Sequence, residues 1–68
     1  MANPDHLAQL RAGTWNEWRA QNPTLAPDLI DAELSGMDLR GLNFRKAHMR
    51  GAELIGAQLD GADFSQAV

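Results

Sequence analysis

Cysteine is absent from this chain, so no disulfide can staple it and no thiol can act as nucleophile or soft metal ligand. Tyrosine is absent as well, and the aromatic side chains reduce to two tryptophans and two phenylalanines. The only histidines, His6 and His48, lie far apart with no ligand-like spacing around either, which argues against a structural metal and leaves no cofactor implied. No apolar run approaches the roughly 18 residues of a membrane span. The opening residues, Met1-Ala2-Asn3-Pro4-Asp5-His6, lack the basic-then-apolar order of a secretion signal, so the expected location is cytoplasmic. Strong charge of one sign is missing too. Nine acidic and six basic residues leave a net −3, too weak to indicate nucleic acid or an anionic membrane as the target. With 68 residues the chain is near the lower limit for a core that stands alone. Lacking the usual staples, it needs an unusually regular core, a neighbouring subunit, or both.

Regularity is what the sequence does have. From Pro27 it divides without a gap into eight units of five: PDLID, AELSG, MDLRG, LNFRK, AHMRG, AELIG, AQLDG and ADFSQ. The third residue is always large and apolar: Leu29, Leu34, Leu39, Phe44, Met49, Leu54, Leu59 and Phe64. The first is never charged and usually small, and the second is Asp, Glu, Asn, Gln or His every time. Five of the six glycines stand at the fifth position, where a tight turn favours a residue that tolerates positive φ. A period this exact sets the fold.

Neither common periodicity accounts for it. On an α-helix a five-residue step advances the apolar position by about 140°, so the leucines would spiral over every face. Ala, Leu, Glu and Gln from Ala47 onward are good helix formers, but glycines recurring every five residues would each cost about 1 kcal/mol in a helix. In one straight strand a five-residue step flips the large side chain to the opposite face each time. The pattern fits a chain that keeps its first and third residues on one side, then turns a corner. Four corners close a square, each coil takes twenty residues, and the first and third side chains point inward.

The units resemble the A-(D/N)-L-x-x consensus of the pentapeptide-repeat family over forty of the 68 residues. That resemblance implies an all-β solenoid, a right-handed quadrilateral β-helix of two coils. The departures at the small position are Pro27, Met37 and Leu42, all in the first coil. Residue n should then lie beneath residue n+20. Phe44 falls under Phe64, Leu34 under Leu54, Leu39 under Leu59 and Leu29 under Met49; outside, Arg40 falls beside Asp60 and Glu33 beside Glu53.

Residues 1–26 read as an N-terminal helical cap, 27–66 as the repeats and 67–68 as a C-terminal end. Asn3 suits an N-cap, Pro4 the first helical position, and Gly13 the stop. Thr14-Trp15-Asn16-Glu17 has the form of a capping box opening a second short helix through about Gln21, ended by Asn22-Pro23. Trp15 and Trp18 share a face. An exposed two-tryptophan platform for a ligand is one reading; packing of Leu7, Leu10, Trp15 and Trp18 against the open edge of the first coil is the better one. Met37 and Leu42 read as enlarged to meet that cap. The W-N-x-W-R segment also resembles the leader before many bacterial, especially cyanobacterial, pentapeptide repeats.

No such cover follows Phe64. The second coil is expected to expose Met49, Leu54, Leu59 and Phe64 edge-on with unpaired strand groups, an association hazard. Tail-to-tail pairing with another copy through those four residues is the favoured outcome, and continuation into a longer chain the other.

Catalytic constellations are missing: there is no Gly-x-Ser-x-Gly and no Walker-type loop. Glu33 with Glu53 is a carboxylate pair, but on a convex wall it lacks the pocket that makes an acid–base pair. His48 beside Asp28 resembles a base with its orienting acid, yet both are outward positions with no nucleophile in view. The basic group Arg40, Arg45, Lys46 and Arg50 should spread over several faces. The chain is therefore expected to be a non-catalytic structural or protein-interaction module with an unknown protein partner. The alternative implied by the resemblance is a DNA-mimicking regulator of a topoisomerase, as in quinolone-resistance proteins. Two coils span only about 10 Å, where duplex DNA carries roughly six charges, so that alternative ranks second.

Overall fold

The computed structural model describes residues 1–68. Two short helices open the chain: α1 (Pro4–Arg11) and α2 (Trp15–Gln21). Asn3 begins α1 in extended backbone, and its Oδ1 accepts the N–H groups of Asp5 at 2.9 Å and His6 at 3.4 Å. Proline at the first helical position, Asp5 in the first turn and Arg11 in the last complement the helix ends. Gly13, at φ +77°, then reverses the chain. The expected capping box at Thr14 does not form. Thr14 makes no side-chain cap, and its hydroxyl donates instead to Gln9 Oε1 at 2.7 Å. The tight turn at Gly13 folds Thr14 back toward the end of α1 and away from the start of α2.

From Pro27 the five-residue period becomes a series of corners. At each corner the N–H of the first-position residue donates to the C=O of the third-position residue before it, as in Ala32 to Leu29 at 3.1 Å and Ala62 to Leu59 at 3.0 Å. The fifth residue is the only one of each unit with positive φ, the requirement of a type II turn at its third position. Glycine meets it at Gly36, Gly41, Gly51, Gly56 and Gly61, while Asp31, Lys46 and Gln66 adopt it at φ of 60–62°. The polar second residue has its own task at the corner. Side-chain oxygens of Asp28, Glu33, Asp38, Asn43 and Asp63 each accept the N–H two residues on, at 2.9–3.2 Å.

Residues twenty apart pair in parallel: Asp28 with His48, Glu33 with Glu53, Asp38 with Gln58, and Asn43 with Asp63. The chain therefore makes a lower layer (27–46) and an upper layer (47–66). The bonds between layers are short, such as Leu34 N–H to the Glu53 carbonyl at 2.8 Å and Glu53 N–H to the Ala32 carbonyl at 2.9 Å. These pairings are isolated bridges and not extended strands. A corner every fifth residue leaves roughly one residue per side in strand pairing, so the expected all-β character reduces to single rungs.

The core lies mainly inside the lower layer. Pro27, Leu29, Leu34, Leu39 and Phe44 are fully buried there, with Ala32 close behind, and so is Ala47 at the start of the upper layer. Met37 and Leu42, the bulky residues at the small position, are half-buried and pack against this cluster. Above it Met49, Leu54, Leu59 and Phe64 are only half-buried. Below it Leu10 and Trp15 close the floor, with Leu7 and Trp18 packed alongside.

Candidate interaction surfaces

The two ends of the layered region differ in how they are finished. At the lower end the cap supplies hydrogen bonds as well as apolar cover. Asn3 N–H donates to the Asp28 carbonyl at 3.1 Å, and His6 Nδ1 accepts the Asp28 N–H at 3.0 Å. On the adjacent side Trp15 Nε1 donates to the Asn43 carbonyl at 2.7 Å. Asn16 accepts the Asn43 N–H at 2.8 Å and donates to the Gly41 carbonyl at 3.0 Å. Arg19 donates to the carbonyls of Arg45 at 2.8 Å and Leu25 at 2.6 Å. Side chains of the cap thus stand in for the rungs that a further layer would provide.

Trp15 is 1% exposed and cannot serve as an open platform. Its ring lies 5.3 Å from Phe44 and 5.1 Å from Trp18, and Trp18 lies 4.9 Å from His6. With Phe64 stacked on Phe44, five rings run from the bottom of the cap through both layers.

The upper end has no such cover. The N–H groups of Leu54, Gly56, Leu59, Gly61 and Phe64 have no partner, nor do the carbonyls of Ala52, Ala57 and Ala62; of the large inward residues only Met49 is paired, its N–H donating to Val68 at 2.8 Å. Three of the four sides therefore present two donors for every acceptor, while on the first side Val68 bonds both the Met49 N–H and the Ala47 carbonyl. The lower edge of a layer has the reverse polarity, because a second-position N–H and the second- and fourth-position carbonyls point that way. Met49, Leu54, Leu59 and Phe64 lie together beneath this donor-rich rim as a half-exposed apolar face. Ile55 stands beside it, 81% exposed on a corner.

The outer walls rearrange several expected pairs. Arg40 does not reach Asp60. It forks onto Asp38, Nε to Oδ1 and Nη2 to Oδ2 at 2.8 Å each, because Asp38 already turns back to accept the Arg40 N–H. That contact holds the Asp38 carboxyl down to about 2. Glu33 and Glu53 do face each other. A hydrogen bond with Glu53, with Ser35 adding to it, holds Glu33 down to about 2, and the same contact with Glu33 pushes Glu53 up. His48 and Asp28 are bridged through their backbones, and the bridge gives no side-chain contact between them. No three His, Asp or Glu side chains are grouped to hold a metal ion, and no helix is long and apolar enough to cross a membrane.

One pocket, of about 290 Å³, lies where α2 meets the fourth side of the lower layer. Arg19, Ala20, Pro23, Asn43, Arg45 and Lys46 line it. Half of the expected basic group is therefore gathered here, and Arg40 and Arg50 are not among the lining residues. Arg19 was not distinguishable in the sequence as a buried residue. Its two terminal nitrogens donate to backbone carbonyls, which leave no residue-type signature.

Eight repeats with every fifth residue at a corner, bonded at a spacing of twenty, match the family model described as Pentapeptide repeats in eight copies over residues 28–66, more than half of the chain. The chain is a pentapeptide-repeat protein. Members of this family generally form a right-handed β-helix and are typically non-enzymatic structural modules. No curated protein and no solved structure matches this pentapeptide-repeat chain. The helical leader lies outside the matched residues.

Proposed function

We propose that this pentapeptide-repeat chain is a non-catalytic protein-interaction module, built as two coils of a right-handed quadrilateral β-helix, whose binding element is the uncovered upper edge. The carrying observation is the contrast between the ends: side chains of the cap bond the lower rim, while the upper rim keeps unpaired donors around a half-exposed apolar face. Either a second copy or further repeat layers would cover Met49, Leu54, Leu59 and Phe64. The donor excess distinguishes the two. Another layer's lower edge offers acceptors to every donor, whereas an identical upper edge sets donors against donors and must rely on apolar contact.

Solution mass tests this. Sedimentation equilibrium at tens of micromolar should show concentration-dependent association, abolished by Leu59→Lys with the circular dichroism spectrum retained. A clean monomer over that range would defeat pairing through this face. The DNA-mimic alternative finds little support in the dimensions. The longest extent of the chain is 29 Å, less than one turn of duplex at about 34 Å, and its wall mixes Arg40 and Arg50 with the acids.

A further inference from the structure

We propose that the cleft between α2 and the fourth side of the lower layer binds a small ligand carrying a phosphate group. Three cations, Arg19, Arg45 and Lys46, line about 290 Å³, and no carboxylate does. None of the three forms an ion pair; the two ion pairs of the protein are Met1 with Asp31 and Arg40 with Asp38. The volume is at the small-ligand end of the range for binding pockets. It accommodates a phosphate together with a modest organic group.

Arg19 gives the cleft its unusual electrostatics. It is 5% exposed, its terminal nitrogens donate to the carbonyls of Leu25 and Arg45, and its buried Nε has no partner. Carbonyls satisfy its hydrogen bonding but do not neutralise its charge, and a buried unneutralised cation is costly. Desolvation and the neighbouring Arg45 both disfavour the charged guanidinium. An anion in the adjoining cleft relieves both effects. Arg45 and Lys46 have exposed side chains on the rim, free to close on it. Asn43 contributes a neutral donor: its Oδ1 is fixed by the Arg45 N–H at 3.0 Å, leaving its amide NH₂ without a protein partner. Lys46 also holds the corner at φ +61°, where most corners carry glycine.

Two features oppose an anion. Asp63, bridged to Asn43 from the upper layer, feels Arg45, but its carboxylate is engaged by Ser65 through N–H at 2.9 Å and Oγ at 2.6 Å. The C-terminal end of α2 borders the cleft with negative dipole ends. Asn22 already occupies two of its carbonyls, those of Trp18 and Arg19. Three positive charges outweigh these, and they match a phosphate dianion better than a singly charged carboxylate.

The test titrates the ¹⁵N-labelled full chain with inorganic phosphate, alongside sodium acetate and sodium chloride at matched ionic strength. Saturable shifts of the Asn43, Arg45, Lys46 and Ala20 amides in phosphate alone, with a Kd of about 1 mM, are the expected result. Arg45→Gln and Lys46→Gln should each weaken binding about tenfold and leave the unliganded spectrum otherwise unchanged. Equal shifts in acetate or chloride, absence of saturation, or undiminished binding by both variants would overturn the proposal.

Discussion

Phe44 and Phe64 stand twenty residues apart in sequence, with ring centroids 5.1 Å apart and planes 7° from parallel. The two rings are identical in chemistry and position within their units, yet Phe44 is fully buried while Phe64 is half-exposed on the upper face. That difference separates their mutational costs. Phe44→Ala removes the ring touched by both Trp15 and Phe64 and should cost about 3–5 kcal/mol, enough to unfold a chain of this size. Phe64→Ala leaves no enclosed cavity and should cost about half as much. Urea denaturation followed by tryptophan fluorescence compares them; equal losses would contradict the asymmetry between the layers.

The corners offer a test confined to the backbone. Lys46 adopts φ +61° at a cost that glycine avoids, so Lys46→Gly should stabilise the protein by about 0.5–1 kcal/mol. The reverse change, Gly36→Ala, meets no atom within 4 Å and yet is held at φ +74°; it should destabilise by about 1 kcal/mol through conformation alone. Gly51→Ala would place a Cβ against the Asp31 carboxylate, the movable end of an exposed side chain, so its cost should be close to that of Gly36→Ala. The expected order of thermal midpoints is Lys46→Gly, wild type, then Gly36→Ala and Gly51→Ala together.

What the sequence makes legible follows from where the information sits. Leu34 and Leu54 are visible as partners because inward positions repeat by residue type, and one period fixes both their side and their spacing. The charged wall is less legible. Twenty-residue spacing puts Asp60 near Arg40, but a turn oxygen two residues back is nearer and already oriented, so Asp38 takes the guanidinium. Least legible is the join between cap and layer. Asn16, Trp15 and Arg19 donate to carbonyls of Gly41, Asn43 and Arg45, and backbone carbonyls look alike at every position. The cap residues could be grouped by helical face, but their hydrogen bonds could not be read.

Arg19 should prove the most sensitive polar residue of the cap. Arg19→Met keeps much of the packed stem and removes the desolvated charge, but strands the carbonyls of Leu25 and Arg45. These carbonyls are part-buried, so leaving them unpaired costs less than the about 1–3 kcal/mol of each fully buried group, and a net loss of about 1–3 kcal/mol is expected. Arg19→Lys retains charge without the planar fork and serves at most one carbonyl well, so it should not restore wild-type stability. Full recovery of the urea midpoint by lysine would mean that charge, and not the fork, is what the site requires.

The stacked Glu33–Glu53 pair predicts an opposite response to acid from that of an ordinary carboxylate. Glu53 is pushed above the usual 4.5 by its hydrogen bond to Glu33. Its contribution to stability is therefore full below about 4.5 and is lost as pH rises through its folded value. Glu33, held at about 2, contributes above 4.5 and loses that contribution as pH falls toward 2. The shared proton is thus most favourable between the folded values of Glu33 and Glu53, and once pH passes the latter two carboxylates face each other. Glu53→Gln puts a permanent donor where the proton would sit. The variant should have a higher thermal midpoint than wild type at pH 7, and the gap should close as pH is lowered and Glu53 of the wild type protonates. Asp38 and Asp63, both held below their ordinary range, keep their contacts through that interval and do not obscure it. A gap that stayed constant from pH 7 to pH 4 would show that glutamine acts by something other than this proton.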